Sequence, residues 1–306
     1  MCGIAALWGQ ADHAVVETII ERQRHRGPDD QGHVVLVGRR GAFGHCRLAI
    51  IDPEGGHQPF QGPNDTVLVA NGMIYNDRVI RAELARVPFQ TGSDSEGILH
   101  LVMKHGASAV ESLDGMFAFV IYQGGEILAA RDPIGIKPLY WGRVGESLAF
   151  ASEIKALAGL ATEIEEFPPG HVFSTANGWR RYYDVPEPSS ADLGVDDAIA
   201  KLQTTLEAAV VKRLRSDVPF GCFLSGGLDS SIIAALASRH IDRLETFAVG
   251  LEGSSDLLAA REVAAHLGTH HHELVIEPEA IIEALPIIGD RDRIFDNRSW
   301  QSKRRG

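Results

Sequence analysis

Cysteine is scarce in this sequence, and the three cysteines that occur, Cys2, Cys46 and Cys222, lie far apart. Their spacing fits neither a disulfide framework nor a cysteine-based metal site. An odd and scattered set of this kind is typical of free thiols in a reducing compartment. We therefore expect a cytoplasmic protein without disulfide bonds.

Long apolar runs and an excess of basic charge are also missing. The longest apolar stretches, such as 116–122, are far shorter than the roughly 20 residues needed to cross a bilayer. The apolar start at 4–8 lacks the basic segment and the length of a secretion signal. A net charge of −12 repels nucleic-acid phosphates and anionic membrane surfaces. These absences argue against nucleic acid or a membrane as the partner and favour a small polar substrate.

The patterns that are present divide the chain of 306 residues into two halves. Over 1–183, short β-type runs separated by Gly and Asn turns surround helical patterns near 15–24 and 95–105. The pair Gly124-Gly125 between two such runs predicts a β-hairpin. This half therefore has the pattern of a sheet-rich α+β domain. A polar, Pro-containing stretch at 184–194 predicts a linker.

Beyond the linker the pattern becomes an alternation of helices and strands. Apolar residues from Ala198 to Leu214 recur at helical spacing and predict a first helix. The elements predicted after it are a strand ending at Leu224, a helix at 229–239, a strand at 246–249, a helix at 256–267 and a strand at 273–276. Such alternation predicts an α/β domain with a parallel, doubly wound sheet over 195–286.

The first candidate for chemistry is Cys2. Its neighbour Gly3 and its own small size favour removal of Met1, which would leave Cys2 with a free α-amino group. An α-amine titrates near pH ~7.7–8.0 and can accept the thiol proton, so that the thiolate attacks an amide carbonyl. On its own the dipeptide is weak support, because a terminal Cys-Gly also arises by chance.

Eight further segments strengthen this hypothesis. They resemble class II glutamine amidotransferases in the family's own order: CGIAALWG (2–9), HRGPDDQG (25–32), HCRLAIID (45–52), NGMIYN (71–76), TGSDSEG (91–97), LDGMFAF (113–119), RDPIGIKPLYW (131–141) and FASEIKAL (150–157). The resemblance implies an N-terminal-nucleophile hydrolase sandwich with αββα layers. It also implies that glutamine forms a thioester on Cys2 and releases ammonia.

The resemblance assigns further roles in glutamine hydrolysis. Asn71, through its amide, and Gly72, through its N–H, would form the oxyanion hole, a contribution of roughly 2.7–4 kcal/mol per donor. Arg47 would bind the glutamine carboxylate through two parallel hydrogen bonds, and Asp94 would bind its ammonium. Without the surrounding motifs, a surface ion pair for Arg47 and a turn aspartate for Asp94 would be the simpler interpretations.

One position departs from the family pattern. Met73 stands where the family has a glutamate that shares the substrate ammonium with Asp94, and its loss predicts a raised KM for glutamine. The resemblance suggests that His25 shapes the pocket without transferring protons. Cys46 is expected to be a small core residue.

The second half contains the sequence SGGLDSS after a predicted strand and at the start of a predicted helix. Backbone N–H groups at such a junction hold phosphate oxygens. The segment resembles the PP-loop of ATP pyrophosphatases, and together with TFAVGL (246–251) it extends the resemblance to glutamine-dependent asparagine synthetases. The resemblance implies ATP and Mg²⁺ as cofactors: Asp229 would help hold the Mg²⁺, Val249 would form a wall of the nucleotide site, and the phosphates would contact Ser225, Gly226, Gly227, Ser230 and Ser231.

Three consecutive histidines, His270, His271 and His272, raise the question of a metal site. Consecutive side chains of a strand point to alternate faces, so we do not expect these three to converge on one ion.

The final stretch, 287–306, is charge-rich and without a clean period, and we interpret it as a divergent tail where the resemblance ends. Our hypothesis is that a frameshift or early stop replaced the rest of the synthetase domain. We then expect an exposed sheet edge and exposed apolar helix faces, with poor solubility or association. Under this hypothesis the chain hydrolyses glutamine but makes no asparagine.

The leading interpretation is thus an asparagine-synthetase-type amidotransferase whose substrates are glutamine, ATP and, in the full-length family, aspartate. A homodimer remains open. Other class II amidotransferases would lack SGGLDSS, and β-lactam synthetase-like proteins usually lack the nucleophile. A non-catalytic fragment that only binds a nucleotide or another subunit is the alternative from a different functional class.

Overall fold

The computed structural model describes the backbone of residues 1–10, 12–187 and 194–291. The chain divides into two compact units, Met1–Glu187 and Pro188–Gly306. Their boundary falls inside the predicted linker 184–194, of which residues 188–193 lie outside the described part. Each unit is described separately below.

The described part of the first unit alternates strands with short helices. In chain order the elements are β1 (Gly3–Trp8), α1 (His13–Arg22), β2 (Asp30–Val35), β3 (Gly41–Arg47), β4 (Phe60–Gln61), β5 (Val67–Ile74), α2 (Asp77–Glu83), α3 (Glu96–His105), β6 (Gly115–Gln123), β7 (Glu126–Arg131), β8 (Tyr140–Val144), β9 (Ser147–Ala151), α4 (Ile154–Leu157), β10 (Thr162–Glu166), β11 (His171–Ser174) and β12 (Gly178–Arg181).

These strands form two six-stranded antiparallel sheets, in the orders β10-β8-β9-β1-β3-β2 and β12-β11-β7-β6-β5-β4. A core containing Phe43, Phe150 and Val69 joins the inner faces of the two sheets. Helices α1 and α4 share a second core with the outer face of the first sheet, and α2 and α3 share a third with the outer face of the second. The layers are therefore α, β, β and α, which confirms the predicted sandwich.

Several local predictions are confirmed and others need correction. Gly124 and Gly125 form the hairpin turn between β6 and β7, both with positive φ angles, 61° and 91°. One of the β-type runs of the first half, at 42–51, predicts a strand over that whole range. The strand ends at Arg47 instead, because the carbonyls that follow turn towards the Arg47 guanidinium. Helix α2 was not predicted: its apolar residues are few, and only Asp77 and Ile80 are buried.

The described part of the second unit is a parallel α/β layer. Its elements are α5 (Val195–Val211), β13 (Gly221–Phe223), α6 (Leu228–Ser238), β14 (Glu245–Gly250), α7 (Ser255–Leu267), β15 (His270–Val275) and α8 (Pro278–Arg291). The strands are parallel and in sequential order, so right-handed crossovers place α6 and α7 on the same face. The last strand begins at His270, earlier than predicted, because Gly268 in the left-handed conformation ends α7 at Leu267.

The opposite face of this sheet has no buried apolar cover among the described residues. Phe223 is 84% exposed, Leu274 61% and Val249 54%. The sequence analysis expected exposed apolar helix faces, whereas this exposed apolar surface belongs to the sheet. Residues 292–306 of the predicted tail lie outside the described residues. No helix in the described ranges is both long enough and apolar enough to span a membrane.

Candidate glutaminase site

Strand pairing brings Cys2 and Arg47 to the same end of the first sheet. Gly3 in β1 pairs with Cys46 in β3, so the residues that flank this pair, Cys2 and Arg47, are neighbours. The Leu48 N–H donates to Sγ of Cys2 at 3.4 Å, and the thiol lies 3.7 Å from the Leu48 carbonyl. Arg26 donates from Nε to the Cys2 carbonyl at 2.9 Å. Cys2 is thus held at its side chain by Leu48 and at its backbone by Arg26.

The Arg47 side chain is buried and organises the loop after β3. Its guanidinium donates to the carbonyls of Ile51 at 3.0 Å, Asp52 at 2.6 Å and Pro53 at 2.9 Å. A Cβ at Gly56 would approach Nη2 of Arg47 to 2.5 Å, so a glycine is needed for this packing. Arg47 is therefore a buried, loop-bonded cation at the pocket wall, and the surface ion pair considered from sequence is wrong.

The candidate oxyanion donors lie on β5, in the second sheet. Asn71 is 2% exposed, and its Nδ2 has no hydrogen-bond partner among the residues that the structure describes. A buried amide donor without a partner costs about 1–3 kcal/mol and is normally paired. An unpaired donor at this position is therefore suited to a ligand atom in the pocket.

The N–H of Gly72 makes no hydrogen bond to the neighbouring strand β6. Gly72 pairs with Phe117 of β6, but Phe117 exchanges its own hydrogen bonds with Asp132 instead. On the same edge of β5, the N–H of Ala70 binds the Gln58 side chain and that of Ile74 binds Asp94. The Gly72 N–H lies between these two on that edge. A Cβ at Gly72 would meet the Met116 carbonyl at 2.6 Å, which explains the glycine.

Asp94 lies just before α3 in a loop tied down by Glu96. Oδ2 of Asp94 accepts from the Ile74 N–H at 2.6 Å. The Glu96 carboxylate accepts from the N–H groups of Gln90 and Thr91, at 2.7 and 2.8 Å. Burial alone would raise the pKa of Glu96, but these bonds and those from His100 and the Thr91 hydroxyl lower it to about 2. The loop is therefore anchored by a carboxylate that stays ionised at neutral pH.

One cavity brings the five sequence-predicted residues together. Its wall is formed by residues of both sheets, among them Cys2, Arg47, Asn71, Gly72, Met73, Asp94 and Lys137. Met73 is 9% exposed and presents an apolar side chain to the same cavity as Asp94. Its effect on recognition of the glutamine ammonium stays a prediction.

Burial favours the neutral thiol of Cys2, whereas the positive charges around it favour the thiolate. Burial raises the pKa of the Cys2 thiol, and the Leu48 hydrogen bond and nearby positive charges oppose this. Burial also lowers the pKa of the N-terminal amine, here on Met1, and that of Lys137. An amine with a lowered pKa is unprotonated more often at neutral pH and is a better proton acceptor.

Lys137 is a pocket residue that the sequence analysis did not single out. It is 7% exposed, although lysine is rarely buried without a reason. The sequence analysis used its motif, RDPIGIKPLYW, only as part of the resemblance. The sequence feature that could have indicated a buried lysine is its position between Ile136 and Pro138.

Two further predictions concern residues near the pocket. Nε2 of His25 lies 3.0 Å from the Glu153 carboxylate. His25 does not line the cavity, so a role in shaping the pocket would be indirect. Cys46 is fully buried, and burial raises its pKa to about 11, as expected for a core thiol.

In the second unit, the SGGLDSS segment joins β13 to the start of α6. Gly226 has φ 73°, and a Cβ there would lie 2.4 Å from that of Ala259 in α7. The hydroxyls of Ser225 and Ser230 lie 2.9 Å apart, and that of Ser231 donates to the Gly227 carbonyl at 2.7 Å. No side chain of the described residues caps α6, which leaves first-turn N–H groups for a ligand.

The other predicted nucleotide-site residues are at the same end of the sheet. Asp229 is in the first turn of α6 and exposed, and Val249 is near the carboxyl end of β14 with 54% of its surface exposed. Ligands of open parallel sheets bind at this end of the strands.

Comparison with known proteins agrees with this division of the chain. Residues 1–176 match the glutamine amidotransferase domain family, and residues 201–303 match the asparagine synthase family. The second match runs into 287–306, where the sequence analysis expected the resemblance to end.

Among similar sequences are asparagine synthetase [glutamine-hydrolyzing] 2 and 3 of Arabidopsis thaliana, 44% and 45% identical over 93% of this chain. The asparagine synthetase [glutamine-hydrolyzing] of Zea mays is 45% identical over the same share. This chain covers 52% of each of these relatives and so spans about half of their length.

Two solved structures share the fold. One is the glutamine phosphoribosylpyrophosphate amidotransferase of B. subtilis complexed with ADP and GMP, with TM-score 0.52, 22% identity, and 92% of this chain and 70% of that chain covered. The other is described as the allosteric regulatory enzyme of purine biosynthesis, with TM-score 0.55, 18% identity, and 96% and 92% covered. At these identities the likeness shows the fold alone. The match over more than half of the chain shows that this protein belongs to the glutamine amidotransferase domain family.

Proposed function

We propose that this protein hydrolyses glutamine to glutamate and ammonia, with Cys2 as the nucleophile after removal of Met1. The observation that carries the proposal is the unpaired, buried Nδ2 of Asn71 in the same cavity as the Cys2 thiol. A fixed donor that lacks a partner in the resting protein gains one when an oxyanion forms. That gain falls in the transition state, where it accelerates the reaction.

In the proposed reaction, the α-amine of Cys2 takes the thiol proton and Sγ bonds to the side-chain carbonyl carbon of glutamine. Asn71 and the free N–H of Gly72 stabilise the oxyanion. The amine returns the proton to the leaving nitrogen, and ammonia departs to leave a thioester. Water, deprotonated by the same amine, then attacks the thioester, which releases glutamate and restores the thiol.

Charged side chains at the cavity wall suit the two ends of the substrate. We assign the carboxylate of glutamine to Arg47 and its ammonium to Asp94, both of which are 4% exposed. Lys137 places a second positive charge near the thiol, where it favours the thiolate and the oxyanion over their neutral forms.

The test is glutamate and ammonia release by the purified chain, with mass spectrometry of its N-terminus. We expect activity only in molecules that lack Met1, and none in Cys2→Ala. Cys46→Ala is the matched control, because it removes a thiol of the same strand pair outside the cavity. Labelling of Cys2 by a glutamine-analogue electrophile would exclude a non-catalytic fragment. Activity in Cys2→Ala, or in molecules that retain Met1, would overturn the proposal.

We further propose that the SGGLDSS segment binds the phosphates of ATP. The fit rests on its donors: serine hydroxyls at 225, 230 and 231 and the uncapped N-terminus of α6, an 11-residue helix. Ser225, Gly226, Gly227, Ser230 and Ser231 would surround the phosphates, Asp229 would hold Mg²⁺, and Val249 would contact the nucleoside. Bound ATP would supply an adenylyl group to activate an acid.

The relatives' names give asparagine as the product, and we propose aspartate as the acid whose amidation would form it. Product analysis after incubation with glutamine, ATP and aspartate tests this proposal. ATP binding itself is tested by calorimetry with Mg²⁺, where Asp229→Asn should weaken binding only when Mg²⁺ is present. We also propose a cytoplasmic location, supported by the scattered free thiols.

A further inference from the structure

One face of the parallel sheet in the second unit carries a group of ligating side chains. β14 and β15 are in register, with Glu245 opposite His270 and Phe247 opposite His272. Residues two apart on a strand share a face, so Glu245, His270 and His272 project from the same side at the amino ends of the two strands. This is the end opposite to the SGGLDSS segment.

The three side chains meet at the Glu245 carboxylate. Nδ1 of His270 lies 2.9 and 2.8 Å from the two carboxylate oxygens, and Nε2 of His272 lies 2.5 Å from Oε2. One ligand atom from each residue lies within 4.8 Å of the other two. The imidazole rings are edge to face, with centroids 4.4 Å apart.

The three side chains are accessible to solvent, but their rotation is restricted. The side chains of Glu245, His270 and His272 are 33%, 47% and 43% exposed, so that a solvated ion can reach them. The Phe247 ring stacks on that of His272 at 4.9 Å and 15°, which limits rotation of the imidazole. The strand backbone fixes the other two positions.

We propose that Glu245, His270 and His272 bind a late first-row divalent cation, for which Zn²⁺ is the natural probe. Two imidazoles and one carboxylate are a common Zn²⁺ ligand set, with water in a fourth position. Metal–ligand distances of about 2.0–2.2 Å place neighbouring ligand atoms roughly 3.4 Å apart in a tetrahedral site. The two imidazole–carboxylate distances, 2.8 and 2.5 Å, therefore need to increase by less than about 1 Å to admit the ion.

This inference goes beyond the sequence analysis of the histidine run, whose expectation that the three side chains do not converge on one ion is confirmed. The alternation of side chains does separate His271, whose Nδ1 lies 3.0 Å from the Thr246 hydroxyl on the helix-packed face. The same alternation puts His270 and His272 on one face. The third ligand, Glu245, lies on the neighbouring strand and precedes His270 by 25 residues. Consecutive spacing alone did not reveal that cross-strand partner.

One other group of this type occurs among the described residues and serves as an internal comparison. His13, Glu17 and His33 have ligand atoms within the same mutual distance. His13 and Glu17 approach to 3.3 Å, but His33 contacts His13 only ring to ring, at 4.3 Å. This group lacks the shared central carboxylate of the first.

The test uses the full, untagged, metal-stripped chain. Zn²⁺ is titrated against a chromophoric chelator, and Co²⁺ absorption distinguishes nitrogen and oxygen ligands from cysteine thiolates. Glu245→Gln and His272→Asn are the disrupting variants. His271→Asn is the matched control from the same run, and His33→Asn removes the other group. Circular dichroism establishes that each variant is folded.

We expect one Zn²⁺ per chain, weakened by at least about 10-fold in Glu245→Gln and in His272→Asn. His271→Asn and His33→Asn should stay within about 3-fold of the original chain. Co²⁺ should show no thiolate bands. Unchanged binding in both disrupting variants, an equal loss in His271→Asn, a loss confined to His33→Asn, or thiolate bands would each overturn the proposal.

Discussion

Helices cover both outer faces of the paired sheets in the first unit, whereas helices α5–α7 of the second unit pack on one face of a three-stranded sheet. The buried core of the described second unit has nine members, five of which are alanines. Phenylalanines at 43, 117, 119, 150 and 167 are fully buried in the first unit. The first unit therefore has the larger hydrophobic contribution to its stability.

The same contrast extends to the two candidate sites. In the first unit, Arg47, Asn71 and Asp94 are all at most 4% exposed, so charge and hydrogen bonding act there with little competition from water. In the second unit, Ser225 and Asp229 are exposed, and a phosphate ligand there would be partly solvated. An enclosed site makes single donors matter more, and the predictions below test this difference.

The largest expected effect separates the two cores. Phe119→Ala removes a fully buried ring from the first unit and should lower the free energy of unfolding by about 3–5 kcal/mol. Phe223→Ala, a strand residue 84% exposed in the second unit, should change it by less than about 0.5 kcal/mol. Urea unfolding followed by circular dichroism measures both. Similar losses of unfolding free energy in the two variants would contradict the proposed difference between the two cores.

The next effect concerns the enclosed oxyanion donor. Asn71→Ala should lower kcat for glutamine hydrolysis by about 10²–10³-fold with a small change in KM, because the unpaired Nδ2 acts mainly in the transition state. Asn76→Ala is a control, since that amide donates to the Ser112 carbonyl outside the cavity. A rise in KM at constant kcat in Asn71→Ala would show ground-state binding instead.

Part of this site could be predicted from sequence, and part could not. The five site residues came from motif resemblance, and the structure brings all of them to one cavity. The direction of the Gly72 N–H depends on which edge of β5 faces β6 and which faces Asp94, a matter of strand register. Register, unlike periodicity, is set by contacts distant in sequence.

The fold shows the same division. The Gly124-Gly125 hairpin is local, and its turn chemistry alone predicted it. The end of β3 at Arg47 is a tertiary effect, because carbonyls bonded to a buried guanidinium leave the sheet ladder. The Glu245–His270–His272 group combines two strands and was missed for that reason.

Acid should destabilise the enclosed unit through His45. Burial lowers the pKa of His45 to about 4 from 6.5, and its Nε2 bonds the Ala70 carbonyl at 3.1 Å across the two sheets. The unfolded chain binds the proton first, so stability is full above pH 6.5 and is lost as pH falls towards 4, by roughly 3 kcal/mol in all. Unfolding curves from pH 7 to 4.5 measure the slope. His45→Gln should flatten it, whereas the exposed His105→Gln should not.

The smallest effect concerns the apolar side chain in the polar cavity. Met73→Glu adds a carboxylate beside Asp94, where the substrate ammonium is expected. A hydrogen bond to a charged group contributes about 1.5–3 kcal/mol, so KM for glutamine should fall by roughly 10-fold or more, with kcat nearly unchanged. Met73→Gln is the matched control of similar size, and it should recover little of this gain because it lacks the charge. Without substrate, the two carboxylates repel each other in a buried site, so Met73→Glu should also unfold more easily. Added glutamine should reverse that loss by binding the folded state. An unchanged or higher KM in Met73→Glu would mean that the ammonium binds elsewhere, and the assignment of Asp94 would then be wrong.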